Sequence, residues 1–245
     1  MQSFLDPNAQ MVQIGDFNHV IYLLGISIIL FLLFKFRNQI KENSGRVMLG
    51  ILIFAVVQRI VSVSYYVIVG EFTVTDSLPL HICRVVCYLI IIQFFVKKKW
   101  LDQVIFYFGL FAYASFVYPV GISPALHMLG MSFFMLHSLI IVYPIIRYFT
   151  NGFVPSLRGA FQSAILFAVY LTGMQLLNNA IGSNYFYTED RPFMHDLSDP
   201  VYFFLNMFGI GLGFVIVALL IGLVINLFNS RKEKPEDKKE EKTLV

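Results

Sequence analysis

The chain is a succession of apolar runs longer than about 18 residues, each closed by a short polar or charged stretch, which is the signature of a polytopic helical membrane protein. The runs extend from His19 to about Phe36, Val47 to Gly70, Pro79 to Val96, Gln103 to Val120, Leu126 to Tyr148, Arg158 to about Gly182, and Val201 to Phe228. Each is long enough to cross a bilayer as one helix. The pattern therefore predicts an all-α integral membrane protein with seven transmembrane helices.

The charges between the runs orient them. Lys35, Arg37, Lys41 and Arg46 follow the first run, Lys97, Lys98 and Lys99 the third, Arg147 and Arg158 flank the fifth turn, and a charged tail follows the seventh. Lys and Arg are nearly absent from the N-terminus and from the turns after runs two and four, and the polar loop after run six is rich in acids. The positive-inside rule then puts the N-terminus outside and the C-terminus in the cytoplasm. Three sections result: an extracytoplasmic N-terminus over 1–18, a membrane domain over 19–228, and a charged, disordered cytoplasmic tail over 229–245.

Composition narrows the function. At 245 residues, 58% hydrophobic and 13% charged, with a mean hydropathy of +0.72, the chain leaves no room for a separate soluble catalytic domain. The stretch before the first run, with Asp6, Pro7 and Asn8 and no basic segment, is not expected to act as a secretory leader. No internal repeat is found, which argues against a transporter of two inverted halves. No acidic residue lies well inside a run, so a carboxylate proton pump is disfavoured. Cys83 and Cys87, one helical turn apart, make neither a disulfide framework nor a zinc site. No metal or other cofactor is expected, nothing points to nucleic acid, and a membrane lipid is the expected substrate or ligand. The localisation expected is a bacterial plasma membrane, multi-pass.

The candidate chemistry lies in polar residues inside or at the outer ends of the runs. His81 opens the third run, and Arg84 and Tyr88 follow it at helical spacing, so a helix would present all three on one face with Cys83 and Cys87 on another. His19 and His127 begin the first and fifth runs. His137 lies near mid-membrane, Gln58 and Arg59 near the middle of the second run, and Asn178 and Asn184 where the sixth emerges. So selective a placement implies a polar cavity open to the outside. Plainer roles stand beside this: end histidines satisfied by interfacial water, arginines holding helix carbonyls or lipid phosphate, His137 in a helix–helix hydrogen bond, and cysteines as small packing residues.

Leu78-Pro79-Leu80-His81-Ile82-Cys83, His137 followed by Pro144, Gly182-Ser183-Asn184-Tyr185, and His19 after Asp16-Phe17-Asn18 together resemble the YwaF family of bacterial integral membrane proteins. The resemblance runs from His19 to the end of the last run. It implies kinship with a eukaryotic transmembrane acyltransferase that remodels ether phospholipids, and more remotely with membrane lipid hydrolases using a threonine and a histidine. In that acyltransferase a cysteine precedes the motif histidine. Here Leu80 precedes it and Cys83 follows two residues later. The function so implied is acyl transfer or acyl hydrolysis on a lipid, with His81, His137 and Cys83 as catalytic candidates and Arg84, Arg59, Gln58, His19, Asn178, Asn184 and Tyr88 as substrate-binding candidates. The alternatives are a non-enzymatic binder or transporter of a lipid or small anion, and a membrane scaffold.

Overall fold

In the computed structural model, which describes residues 4–240 and side chains as far as Leu227, every regular element is helical. The helices are α1 (Phe17–Lys35), α2 (Arg37–Glu42), α3 (Ser44–Val69), α4 (Ile82–Val96), α5 (Lys99–Val117), α6 (Met128–Asn151), α7 (Leu157–Ile181) and α8 (Asp199–Glu240), with a 3-10 turn at Tyr185–Tyr187. Six stretches are long and apolar enough to cross a membrane: α1, α3, α5, α6, α7 and Asp199–Leu227 of α8. The third expected run appears as α4, which has 15 residues and rises about 22 Å. It is the shortest of the expected spans. The short basic loop expected after α1 is itself mostly helical, as α2. The charged tail expected from residue 229 falls on positions whose side chains lie outside the described residues.

Helix ends follow local chemistry. Asp16 caps α1 by accepting the backbone N–H of His19 at 2.7 Å, and Ser156 caps α7 through Gly159 at 3.1 Å. Gly70, Gly152 and Gly182 close α3, α6 and α7 in the left-handed conformation that glycine adopts without steric cost. The α4–α5 turn is tighter still. Lys97 takes φ 52°, and the Gln93 side chain accepts from Lys98 N at 3.1 Å and donates to Lys98 O at 2.9 Å.

Successive helices run up and down, because their ends meet in two groups. At one end His19 of α1 reaches Phe116 O of α5, Tyr22 donates to Ser123 O, and the N-terminal segment is stitched on through Val12 N to Ile122 O and Met128 N to Phe4 O. There too Tyr170 of α7 donates to Leu80 O, before α4. At the other end Gln103 and Tyr107 of α5 bond Val154 and Ser156, before α7. α6 is the central helix, packed on α1, α3, α4 and α5. Gly130 sets how closely it sits. A Cβ there would lie 1.9 Å from Pro124 O and 2.5 Å from the Tyr22 hydroxyl. A second apolar layer joins α5, α7 and α8 through Phe108, Phe167 and Phe214.

Candidate functional site in the α3, α4 and α6 core

A cluster of polar side chains lies within the otherwise apolar core between α3, α4 and α6. Gln58, fully buried on α3, donates its amide to Ser132 O at 3.1 Å and Ser132 Oγ at 3.0 Å on α6. Its Oε1 accepts from Arg59 Nε at 2.7 Å and lies 3.9 Å from the Cys87 thiol on α4. One amide thus bridges three helices. Arg59 is 7% exposed, and its guanidinium carbon lies 5.9 Å from the centre of the Tyr88 ring.

His137 lies deeper on α6, buried against Phe133 and Phe116, and within electrostatic range of Arg59 and Arg84. Its Nδ1 is 2.9 Å from Phe133 O. A carbonyl only accepts, so Nδ1 carries the hydrogen and Nε2 of the neutral ring carries a lone pair. The backbone has selected the tautomer that makes Nε2 a base.

The outer group is separate. His81 is the N-cap of α4, in extended conformation with ψ 139°, not a residue on its face. The expected His81–Arg84–Tyr88 stripe therefore does not form: helical spacing begins only at Ile82, past Pro79. The His81 ring instead packs on Tyr185 and Tyr187, with ring centres 5.2 and 5.9 Å away, and its Nε2 is 3.6 Å from Asp76 Oδ1. That imidazole, helped by the Arg84 charge, holds the Asp76 carboxyl below the usual carboxylate range despite partial burial. Arg84 closes the loop on itself. It donates to Asp76 O at 2.7 Å, Leu78 O at 3.0 Å and the Tyr66 hydroxyl at 3.1 Å.

The remaining candidates separate by their partners. His19 is spent in the fold: Nδ1 accepts from Gly15 N at 2.9 Å and Nε2 donates to Phe116 O at 2.8 Å. His127 is likewise held by Leu129 N and Asp6 O. Asn178 makes four hydrogen bonds, to Tyr185 N and O, Ser183 and Thr188, and so builds the turn that sets Tyr185 over His81. Asn184 holds Glu189 and Asp190 in the same loop. Ser115 and Thr172 bond the carbonyl four residues back. Cys83 is buried, and Ser138 Oγ is buried without a partner. Among the described residues no histidine is hydrogen-bonded to a serine, threonine or cysteine, and no cluster of three potential metal ligands forms.

One buried group was not anticipated. Asp102, 2% exposed in the first turn of α5, accepts from Tyr143 at 2.9 Å and from both Nε (3.1 Å) and Nη2 (2.7 Å) of Arg147. It lies one residue before the run that the hydropathy pattern marks, and its partners are on α6. This end also carries an open cavity of about 380 Å³, lined by Lys99, Trp100, Gln103, Ser156, Arg158, Gly159 and Gln162.

No curated protein and no solved structure matches the chain. Residues 14–232, from the cap of α1 into α8, match the TMEM164 family, and this multi-pass membrane protein belongs to that family.

Proposed function

We propose that this protein is a lipid acyltransferase or acyl hydrolase of the bacterial plasma membrane, with seven spans, an outer N-terminus and a cytoplasmic C-terminus. The observation that carries the chemistry is the fixed tautomer of His137 within a polar core of membrane helices. Nε2 would take the proton of a lipid hydroxyl or water as that oxygen attacks an acyl ester carbonyl. It would return the proton to the leaving alkoxide as the ester C–O bond breaks. No enzyme nucleophile is needed for that sequence, and Cys83, buried on α4, is the thiol available for a two-step version. The resemblance to the YwaF family and its acyltransferase kin supports the same class of substrate. The alternation of basic and acidic connections supports the topology, with α4 completed as a span by the turns before it that Arg84 holds.

The test is lipid mass spectrometry on purified protein in vesicles of defined phospholipid. Wild type should generate lysolipid, or transfer acyl chains to an added lysolipid, and His137→Gln should not. Unchanged turnover in His137→Gln would end the proposed role. A second reading, a non-enzymatic lipid binder, is favoured by the lack of any histidine–nucleophile hydrogen bond among the described residues. It is the outcome if lipid co-purifies in stoichiometric amount and is never converted.

A further inference from the structure

Arg59 is a charge buried inside a membrane helix without a counter-charge. Its Nε is used by Gln58, but its two Nη nitrogens have no acceptor among the described residues, and the three ion pairs found there do not include it. Arg84, the nearby second guanidinium, has its donors spent on two carbonyls and a hydroxyl. A guanidinium so placed is costly to insert, and such residues mark ligand paths in membrane proteins.

Depth and outlook say what the ligand is. Arg59 lies ten residues before the end of α3 at Val69, hence about 15 Å below it. His137 lies nine residues past the start of α6 at Met128, hence about 14 Å below it. The Tyr65 and His127 rings are 5.3 Å apart, so the cap of α6 meets α3 one turn before its end. Gln58 pairs with Ser132 across these helices, so Arg59 sits at the level of Ser132 and His137 lies five residues, about 7 Å, deeper on α6, both beneath the plane of phospholipid phosphates. The side of the guanidinium is not sealed from lipid. Tyr88 beside it is exposed, as are Val56, Ile60 and Val63 on the same stretch of α3.

We propose that Arg59 receives the carboxylate of a long-chain fatty acid, bidentate on its Nη nitrogens, with the chain lying along the α3–α4 flank. One free guanidinium matches one negative charge, where a phosphate at this depth would need more. Lateral exposure to hydrocarbon fits a chain-bearing acid rather than a water-borne ion. The proposal deepens the lipid reading by naming the group that Arg59 holds. It is tested by binding without turnover, so either can fail alone.

The experiment is thermal unfolding of the full chain in nanodiscs of zwitterionic lipid, titrated separately with laurate, dodecanol, inorganic phosphate and phosphatidic acid. Laurate should raise the unfolding temperature saturably, and the other three should not. Arg59→Lys should weaken the apparent Kd for laurate about tenfold, because the planar fork is lost. Arg59→Met, which removes the guanidinium, should abolish the response. An equal effect of dodecanol, a response to phosphate or phosphatidic acid in place of laurate, or a laurate response kept in Arg59→Met would each overturn the proposal. Should Arg59→Met fail to reach the membrane, Arg59→Lys decides: full wild-type affinity for laurate would refute the bidentate carboxylate.

Discussion

Asp102 offers the sharpest test of how the bundle is held. Replacing it with alanine removes the acceptor of three donors at once, the Tyr143 hydroxyl and two N–H groups of Arg147. Breaking a buried ion pair by removing one partner costs roughly 3–5 kcal/mol. Asp102 is 2% exposed but the Arg147 side chain is 18% exposed, so the freed guanidinium can reach water. The lower end, about 3 kcal/mol, is therefore expected, which corresponds to a fall of about 6–12 °C in unfolding temperature for a chain of this size. The single tryptophan, Trp100, stands two residues from Asp102 and is half exposed, so its emission in detergent at a fixed scan rate reports the site directly. The decisive variant is the triple Asp102→Leu, Arg147→Met, Tyr143→Phe. Apolar groups of similar bulk replace the network, and the loss should shrink to within about 1 kcal/mol of wild type. If the triple variant costs as much as the separate losses added together, the three residues are not coupled and the reasoning fails.

Arg84→Lys should loosen the Asp76–His81 loop, because an ammonium cannot hold Asp76 O, Leu78 O and the Tyr66 hydroxyl as the guanidinium does. A spin label at Thr75 should become more mobile, and unchanged mobility would return Arg84 to the pool of ligand-binding candidates. Asp16 is held below the usual carboxylate range, chiefly by the backbone N–H of His19 and then by that of Gln13. Its cap is thus fully present above about pH 4 and is lost as pH falls through the depressed value. A label at Gln10 should gain mobility only below that range, and Asp16→Ala should show the mobile spectrum at neutral pH.

The order of the apolar helices was legible because burial in lipid demands long apolar runs, which need no tertiary information. What joins them was not legible, because the partners are backbone atoms or distant residues. Arg84 stood as a substrate-binding candidate with helix carbonyls as its plainer partners, and its acceptors prove to be two carbonyls of its own loop and the Tyr66 hydroxyl, a choice no side-chain pattern announces. Asp102 stood just outside the expected span and pairs with a residue 45 positions on. The stripe through His81 failed for a local reason: extended backbone at the cap breaks helical spacing. Gln58 and Arg59 were visible as an anomaly in an apolar run. Their division of labour, one stapling three helices and one left unpaired, is a matter of geometry.

The shortness of α4 has a consequence for the surrounding bilayer. Its two ends are pinned, one by the Arg84 clamp and one by the Gln93–Lys98 pair, so it cannot lengthen by winding in neighbouring residues. Its outer side, with Tyr88, Ile92 and Phe95, is exposed. On the proposed seven-span reading, a helix of about 22 Å beside a hydrocarbon layer of about 30 Å is a case of hydrophobic mismatch, shared between the turns before α4 and the lipid. On that reading the annulus along α4 would be locally thinned, and phospholipid ester groups there would ride lower than in the bulk leaflet. Acyl-chain length of the host membrane would thereby become a control on how readily the proposed lipid ligand descends to Arg59 and, deeper, to His137.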